Sequence, residues 1–246
     1  MQQINYFEII TDLSKSESIS EIEFHCKQIC KLLEVDNYSF VFCIPSSIVS
    51  PTIITLTNYP YSWKEHYFSE KLFSNDPVIQ YSQQNITPII WQDFSGYSEF
   101  NDKNKLLVMD KAKDYGLNTG FSIPIRSPLG EMSIFSGSCT AKIDQEAYYK
   151  ILPIAQMLAP YLHEAVKKIS ILNKDQVGEI NITNREKECL LWASEGKTAW
   201  EISQILAISE RTVLFHLNNV SKKLGGTNRQ HTVAKALLMG AIKFQI

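Results

Sequence analysis

Apolar residues Ile19, Ile22, Cys26, Ile29, Leu32 and Leu33 recur at helical spacing, so residues 19–33 predict an amphipathic helix. The pattern then changes period. Residues 38–44 (YSFVFCI) and 52–57 (TIITLT) are β-branched and aromatic, with Pro45, Pro51 and Pro60 around them, and predict two adjacent strands. Further helices are expected over 63–73 and 101–115, the second stopped by Gly116 as a C-cap. Residues 121–125 and 131–139 predict another strand pair around the turn Ser127-Pro128-Leu129-Gly130. The stretch 145–172 reads as a long helix that Pro153 and Pro160 should each kink or restart. A sheet flanked by helices follows for the first ~170 residues, in the α+β class.

Residues 173–181 (NKDQVGEIN) are polar and contain a glycine, which makes them the linker between a domain over 1–172 and one over 182–246. Beyond them the pattern is wholly helical. Thr183 with Glu186 forms a capping box, Leu190 and Leu191 face inward, and Gly196 ends that helix. A second helix opens at Thr198 and runs to Leu206. Ala207-Ile208 make a short turn, and Ser209 caps a third helix over 210–224. A fourth is expected over 232–242.

Composition alters this picture in one place. The 246 residues are 44% hydrophobic and 20% charged, near the average of a folded soluble protein. No apolar run approaches the ~20 residues that span a bilayer, and the first residues lack a basic start followed by an apolar stretch. The expected compartment is the cytoplasm, with no membrane partner. Five scattered cysteines fit reduced thiols better than a disulfide framework, and Cys26, Cys30 and His25 lack further ligands at zinc spacing. Net charge is −2, which alone argues against a nucleic-acid binder. The division is uneven, however. Residues 181–246 hold nine Lys+Arg against five Asp+Glu, net +4, leaving −6 for residues 1–180.

Two short helices joined by a tight turn, the second capped by serine, can form a unit that reads DNA. Arg211, Leu214, Phe215 and Asn218 are placed to project from the second of the pair, while Val213, Leu217 and Val220 are placed to pack inward. Ser209 belongs to the same interface. Lys197, Thr198, Trp200, Thr212, Lys222 and Arg229 suit phosphate contact, which gives affinity without sequence information. ITNREKECLLW, GKTAWEISQIL, ISERTVLFHLNNVSKKL and NRQHTVAKALLMGAI together resemble the helix-turn-helix of LuxR-type regulators over residues 182–242. The resemblance implies a fourth helix that contributes to dimerisation. Family members commonly carry a polar residue where this chain has Leu214, a side chain that neither donates nor accepts; it could meet a thymine methyl or merely pack.

In the first domain, Tyr59, Trp63 and Tyr67 fall at i, i+4 and i+8, a stripe that core packing alone would explain. Asp76, followed by Pro77, Val78 and Ile79, weakens that explanation, because a buried carboxylate demands donors. Tyr59, Trp63, Tyr67, Asp76, Pro77, Trp91 and Gly120, in NYPYSWKEHY, NDPVIQYS, ITPIIW and the segment 116–125, resemble the autoinducer-binding domain of the same family, on its LasR-like branch. That resemblance implies an α/β/α sandwich around an antiparallel sheet. It also implies an N-acyl-homoserine lactone as ligand, with no other cofactor and no metal. Trp63 would donate to the lactone carbonyl and Asp76 would accept from the amide. Tyr59 and Ser133 would hold the acyl carbonyl, and Tyr67 and Trp91 would wall the pocket. Phe40 and Phe42 alternate on one strand face, and Phe135 shares the face of Ser133. If these rings line the pocket, they favour short or medium acyl chains.

The implied scheme is a homodimer, joined in its first domain through 145–172, on a palindromic double-stranded operator, with RNA polymerase as an open further partner. A LuxR-type regulator that answers a different small molecule, or none, is the alternative. An enzyme acting on such signals would need a nucleophile elbow, clustered metal histidines or a glycine-rich phosphate loop, and the chain shows none of these motifs.

Overall fold

A computed structural model describes residues 5–45, 47, 50–100, 102–128, 130–172 and 181–242. The linker residues 173–180, and Leu129 of the expected turn, lie outside them. Backbone contacts divide the chain into two compact units. One comprises Met1–Cys43, Ile53–Arg126 and Met132–Asn173, and the other Ile44–Thr52, Ser127–Glu131 and Lys174–Ile246.

The first unit opens with two helices, α1 (Tyr6–Lys15) and α2 (Ile19–Leu32). α1 was not predicted, although its signals are present: Asn5 accepts from the Phe7 amide as N-cap, and Ile9 and Leu13 lie one turn apart and are buried. Strands β1 (Asn37–Ile44) and β2 (Thr52–Thr57) follow, then α3 (Tyr61–Ser69). The helix expected over 63–73 stops early, because Lys71 takes a left-handed conformation (φ 51°) and the chain re-enters as a 3-10 turn at Leu72–Ser74.

Helix α4 (Pro77–Gln84) was also unforeseen. Asp76 caps it through the Val78 amide and Pro77 occupies its first turn. The short β3 (Ile89–Ile90) leads into a 3-10 segment, Trp91–Gly96, and then α5 (Lys103–Lys113). β4 (Thr119–Arg126) and β5 (Met132–Cys139) form the expected hairpin pair. α6 (Gln145–Leu172) closes the unit and runs unbroken through Pro153 and Pro160, so the expected restart does not occur. Both prolines sit on the exposed side, where water can serve the carbonyls that lose an amide partner.

The five strands lie in the order β2-β1-β5-β4-β3, and β1–β5, β5–β4 and β4–β3 pair antiparallel. Side chains alternate between the two faces of such a sheet. One face carries Tyr38, Phe40, Phe42, Phe121, Ile123, Ser133 and Phe135, all buried, and packs toward α6 and the helices against it. The other carries Ser39, Val41, Gly120, Ser122, Ser136 and Ser138, with α4 and the Trp91–Gly96 segment packed on β4. The unit is thus an α/β/α sandwich, as the sequence resemblance implied.

The second unit contains α7 (Asn184–Ser194), α8 (Ala199–Leu206), α9 (Glu210–Leu224) and α10 (Arg229–Leu238). The Thr183–Glu186 capping box is present, and a second one, Thr198 with Glu201, starts α8. Ala207 supplies the left-handed turn (φ 51°) between α8 and α9. α10 begins three residues before the expected start, because Asn228 caps it through the His231 amide. Cys189, Ala193, Ile202 and Val213 form one buried cluster, and Ile182, Leu190, Val220, Leu224, Ala236 and Ile242 another.

Candidate functional site

On the serine-bearing side of the sheet, Trp63 is buried with Leu72, Val108, Ala112 and Leu117, and Tyr59, Tyr67, Trp91 and Tyr115 pack around that cluster. The stripe read from sequence is therefore real as a cluster, although Tyr59 precedes the helix that carries Trp63 and Tyr67. Ring centroids of Trp63 lie 5.4 Å from both Tyr67 and Tyr115. Tyr115 was not among the expected residues; its place just before the helix-ending Gly116 was the available signal.

Asp76 stands among these rings. Its Oδ2 accepts from the Tyr67 hydroxyl at 2.6 Å and its Oδ1 from the Val78 amide at 2.8 Å. Burial raises its pKa; the Tyr67 hydroxyl and the Val78 and Ile79 amides pull the other way without cancelling the rise. Burial, then the neighbouring Asp76, likewise raises the Tyr67 phenol. The carboxylate thus does two jobs: it caps α4 and presents an acceptor inside an aromatic enclosure.

Trp91 packs close against β4 because Gly120 has no side chain; a Cβ there would meet the Gly137 carbonyl at 2.5 Å and the Trp91 ring at 2.9 Å. The Trp91 indole N–H donates to Ser122 Oγ at 2.9 Å, and Ser122 shares a 2.8 Å hydrogen bond with Ser136. The Tyr59 and Ser138 hydroxyls are buried without a hydrogen-bond partner among the described residues.

Three expected pocket residues are not here. Ser133, Phe40 and Phe42 sit on the opposite face of the sheet, as does Phe135. Ser133 hydrogen-bonds His163 of α6 at 2.6 Å, and the His163 ring meets Phe42 edge-on at 5.1 Å. The separation is one of parity. Ser133 and Ser136 are three apart on one strand and must face opposite ways. Ser122, Ser136 and Ser138 could have been found by carrying the alternation outward from Gly120.

In the second unit, Arg211, Leu214, Phe215 and Asn218 are exposed on α9, while Val213 and Val220 are buried and Leu217 packs partly inward. The sequence division of this helix holds residue by residue. Trp200 is 60% exposed on α8, and Lys222 is exposed. Thr198 and Ser209 spend their side chains on capping, Ser209 with Thr212 at 2.7 Å between hydroxyls. The Arg229 guanidinium donates to the Lys197 carbonyl. Lys223, next to Lys222 in the helix, is engaged within the unit: it binds Glu186 at 2.7 Å and donates to the Asn181 carbonyl at 2.8 Å. Burial raises the Glu186 pKa, but the Lys223 and Thr183 hydrogen bonds outweigh it and leave it lowered.

Residues 18–166 match the family described as autoinducer binding domain, and residues 181–236 match bacterial regulatory proteins of the luxR family. The chain is 36% identical over 239 residues to the transcriptional activator protein LuxR of Aliivibrio fischeri, covering 96% of this chain and 94% of that protein. It is 31% identical over 242 residues to the transcriptional activator protein AhyR of Aeromonas hydrophila, covering 98% and 92%. Among solved structures it is similar to Escherichia coli SdiA, with TM-score 0.77, 25% identity and 96% of each chain covered. SdiA in complex with octanoyl-rac-glycerol gives TM-score 0.74 at 25% identity, with 98% and 96% covered. An autoinducer-binding domain followed by a DNA-reading helix-turn-helix defines a ligand-responsive transcription regulator. The chain belongs to the LuxR family.

Proposed function

We propose that this regulator is a cytoplasmic, dimeric transcription activator that takes an N-acyl-homoserine lactone into its first domain and binds a palindromic operator through α9. Residues 1–172 would form the signal-binding domain, 173–181 the linker and 182–246 the DNA reader. The observation that carries the lactone reading is the Asp76 carboxylate, fixed by Tyr67 and Val78 within an aromatic enclosure. An amide in an apolar slot must have both its N–H and its C=O satisfied. Asp76 offers the acceptor for the N–H, and the hydroxyls of Tyr59, Ser136 and Ser138 offer donors for ligand oxygens. Trp63 would donate to the lactone carbonyl, with Tyr67 and Trp91 as walls. Phe40 and Phe42 no longer bear on acyl-chain length, since they face away from this enclosure.

Binding a ligand inside the domain favours the folded, dimer-competent form. The α6 helix, with Tyr149 and Tyr161 exposed, is the proposed dimer contact. Arg211 and Asn218 would hydrogen-bond base edges, and Lys197, Thr198, Trp200, Thr212 and Lys222 would meet the backbone. RNA polymerase is the partner an activator requires, and the chain has no catalytic role in this scheme. A second reading, a non-lactone acyl ligand, draws on the SdiA complex with octanoyl-rac-glycerol. Expression with butanoyl- through tetradecanoyl-homoserine lactones and with octanoylglycerol, followed by native mass measurement, separates the two. Retention of a lactone supports the proposal, and retention of octanoylglycerol alone supports the second reading.

A further inference from the structure

On α9 the exposed residues Arg211, Leu214, Phe215, Asn218 and Lys222 share one stripe. At about 100° of turn per residue they fall within an arc of about 100°, opposite the buried Val213, Val220 and Leu224. Arg211, Asn218 and Lys222 can hydrogen-bond bases or phosphates, whereas Leu214 and Phe215 cannot. The Phe215 ring is engaged within the helix, edge-on to His216 at 5.6 Å. Leu214 is 47% exposed and, among the described residues, belongs to neither buried cluster of the unit nor to the side chains packed against them. It therefore does not pack inward, and an apolar side chain stands outward between Arg211 and Asn218.

Arg211 and Asn218 lie about 10.5 Å apart along the helix, the rise of about three base pairs at about 3.4 Å each. Leu214, one turn beyond Arg211, faces a base pair between theirs. In the major groove guanine and adenine present only hydrogen-bonding groups, and cytosine presents a donor. A leucine pressed on such an edge strips its water and returns no hydrogen bond. Thymine alone of the four bases carries an apolar group there, its C5 methyl.

Resting on α9 as the DNA reader, we propose that Leu214 is a specificity-determining residue that reads the C5 methyl of a thymine. Each operator half-site then requires an A·T pair between the base pairs met by Arg211 and Asn218. The contact removes the methyl and the leucine from water together, and it selects thymine without a hydrogen bond. A side-chain amide at the same position would favour adenine instead.

The test uses full-length protein expressed with the same ligand panel, and an operator that it selects from random duplexes. Each thymine is replaced in turn by deoxyuridine, which keeps the pairing and loses only the methyl, and dissociation constants are read by fluorescence anisotropy. In the wild type one thymine of each half-site is expected to weaken binding about three- to fivefold when its methyl is lost, the effect of burying one methyl group. Leu214→Ala should bind the thymine and deoxyuridine duplexes alike. Leu214→Gln, put through the same selection, should exchange that thymine for adenine. Should Leu214→Ala bind too weakly to titrate, this selection decides. A methyl that matters at no thymine, an effect that survives in Leu214→Ala, or a thymine still selected by Leu214→Gln overturns the proposal. Full-length protein that selects no DNA sequence overturns the reading of α9 itself, and the proposal with it.

Discussion

Gly120→Ala perturbs the aromatic enclosure through packing, without removing a polar side chain. The added methyl would sit 2.5 Å from the Gly137 carbonyl and 2.9 Å from the Trp91 ring. The carbonyl belongs to the paired strand β5 and cannot yield cheaply, so either β4 and β5 part or Trp91 leaves its seat. Overpacking of this kind costs about 1–3 kcal/mol. A displaced Trp91 also loses its 2.9 Å bond to Ser122, worth about 1 kcal/mol, while the stiffer unfolded chain returns about 0.4–1 kcal/mol. The net expectation is a loss of about 2 kcal/mol, or a melting point about 4–8 °C lower for a chain of this size. Gly96→Ala is the control, because nothing lies within 4 Å of its added carbon. Urea unfolding followed by tryptophan fluorescence, with lactone affinity measured alongside, reads the effect. A Gly120→Ala protein as stable as Gly96→Ala, with unchanged affinity, would refute the reasoning about Trp91.

Tyr67→Phe removes the 2.6 Å bond to Asp76 and should raise the Asp76 pKa further, weakening lactone binding about tenfold at neutral pH by calorimetry. Because the folded Asp76 pKa is raised, the ligand-free fold binds this proton more tightly than the unfolded chain does. Its contribution to stability is therefore present below the usual carboxylate range and lost as pH rises through the raised value. Lactone affinity should move the opposite way, rising across that window as the carboxylate ionises, and Asp76→Asn should flatten both profiles. Thr198→Ala deletes the cap of α8 and should cost about 1 kcal/mol in the second unit, seen as earlier unfolding. Asn218→Ala should relax preference at one base-pair position by about 1–3 kcal/mol in a selected-operator assay. Lys222→Ala should weaken binding to all sequences and lower the salt slope by about one.

The helix-turn-helix was legible almost completely, because its signals are local. Thr183, Thr198 and Ser209 each cap a helix, and the inward residues Val213 and Val220 follow directly from helical period. The first unit was legible in its elements but less so in its site. Asp76-Pro77 is a helix start as well as a carboxylate, and reading only the second role hid α4. Ser133 shares the face of Phe135, whereas Ser122, Ser136 and Ser138 have the opposite parity and face the aromatic enclosure. What covers each face of the sheet depends on elements far along the chain, here α4 and the Trp91 segment on one side and α6 on the other. Neither face can be chosen from strand alternation alone. The Lys223–Glu186 pair shows the same limit at the DNA reader, since nothing in the spacing of residues 37 apart announces it.

The central claim is that a small molecule held at Asp76 governs DNA binding by α9. Fluorescence anisotropy of an operator selected with the full-length protein, titrated with and without the lactone that the protein retains on expression, tests it most directly. The account predicts at least about tenfold tighter DNA binding with lactone, lost in Asp76→Ala and retained in Ser133→Ala. DNA affinity that stays the same with that lactone and with every other chain length in the panel would contradict it.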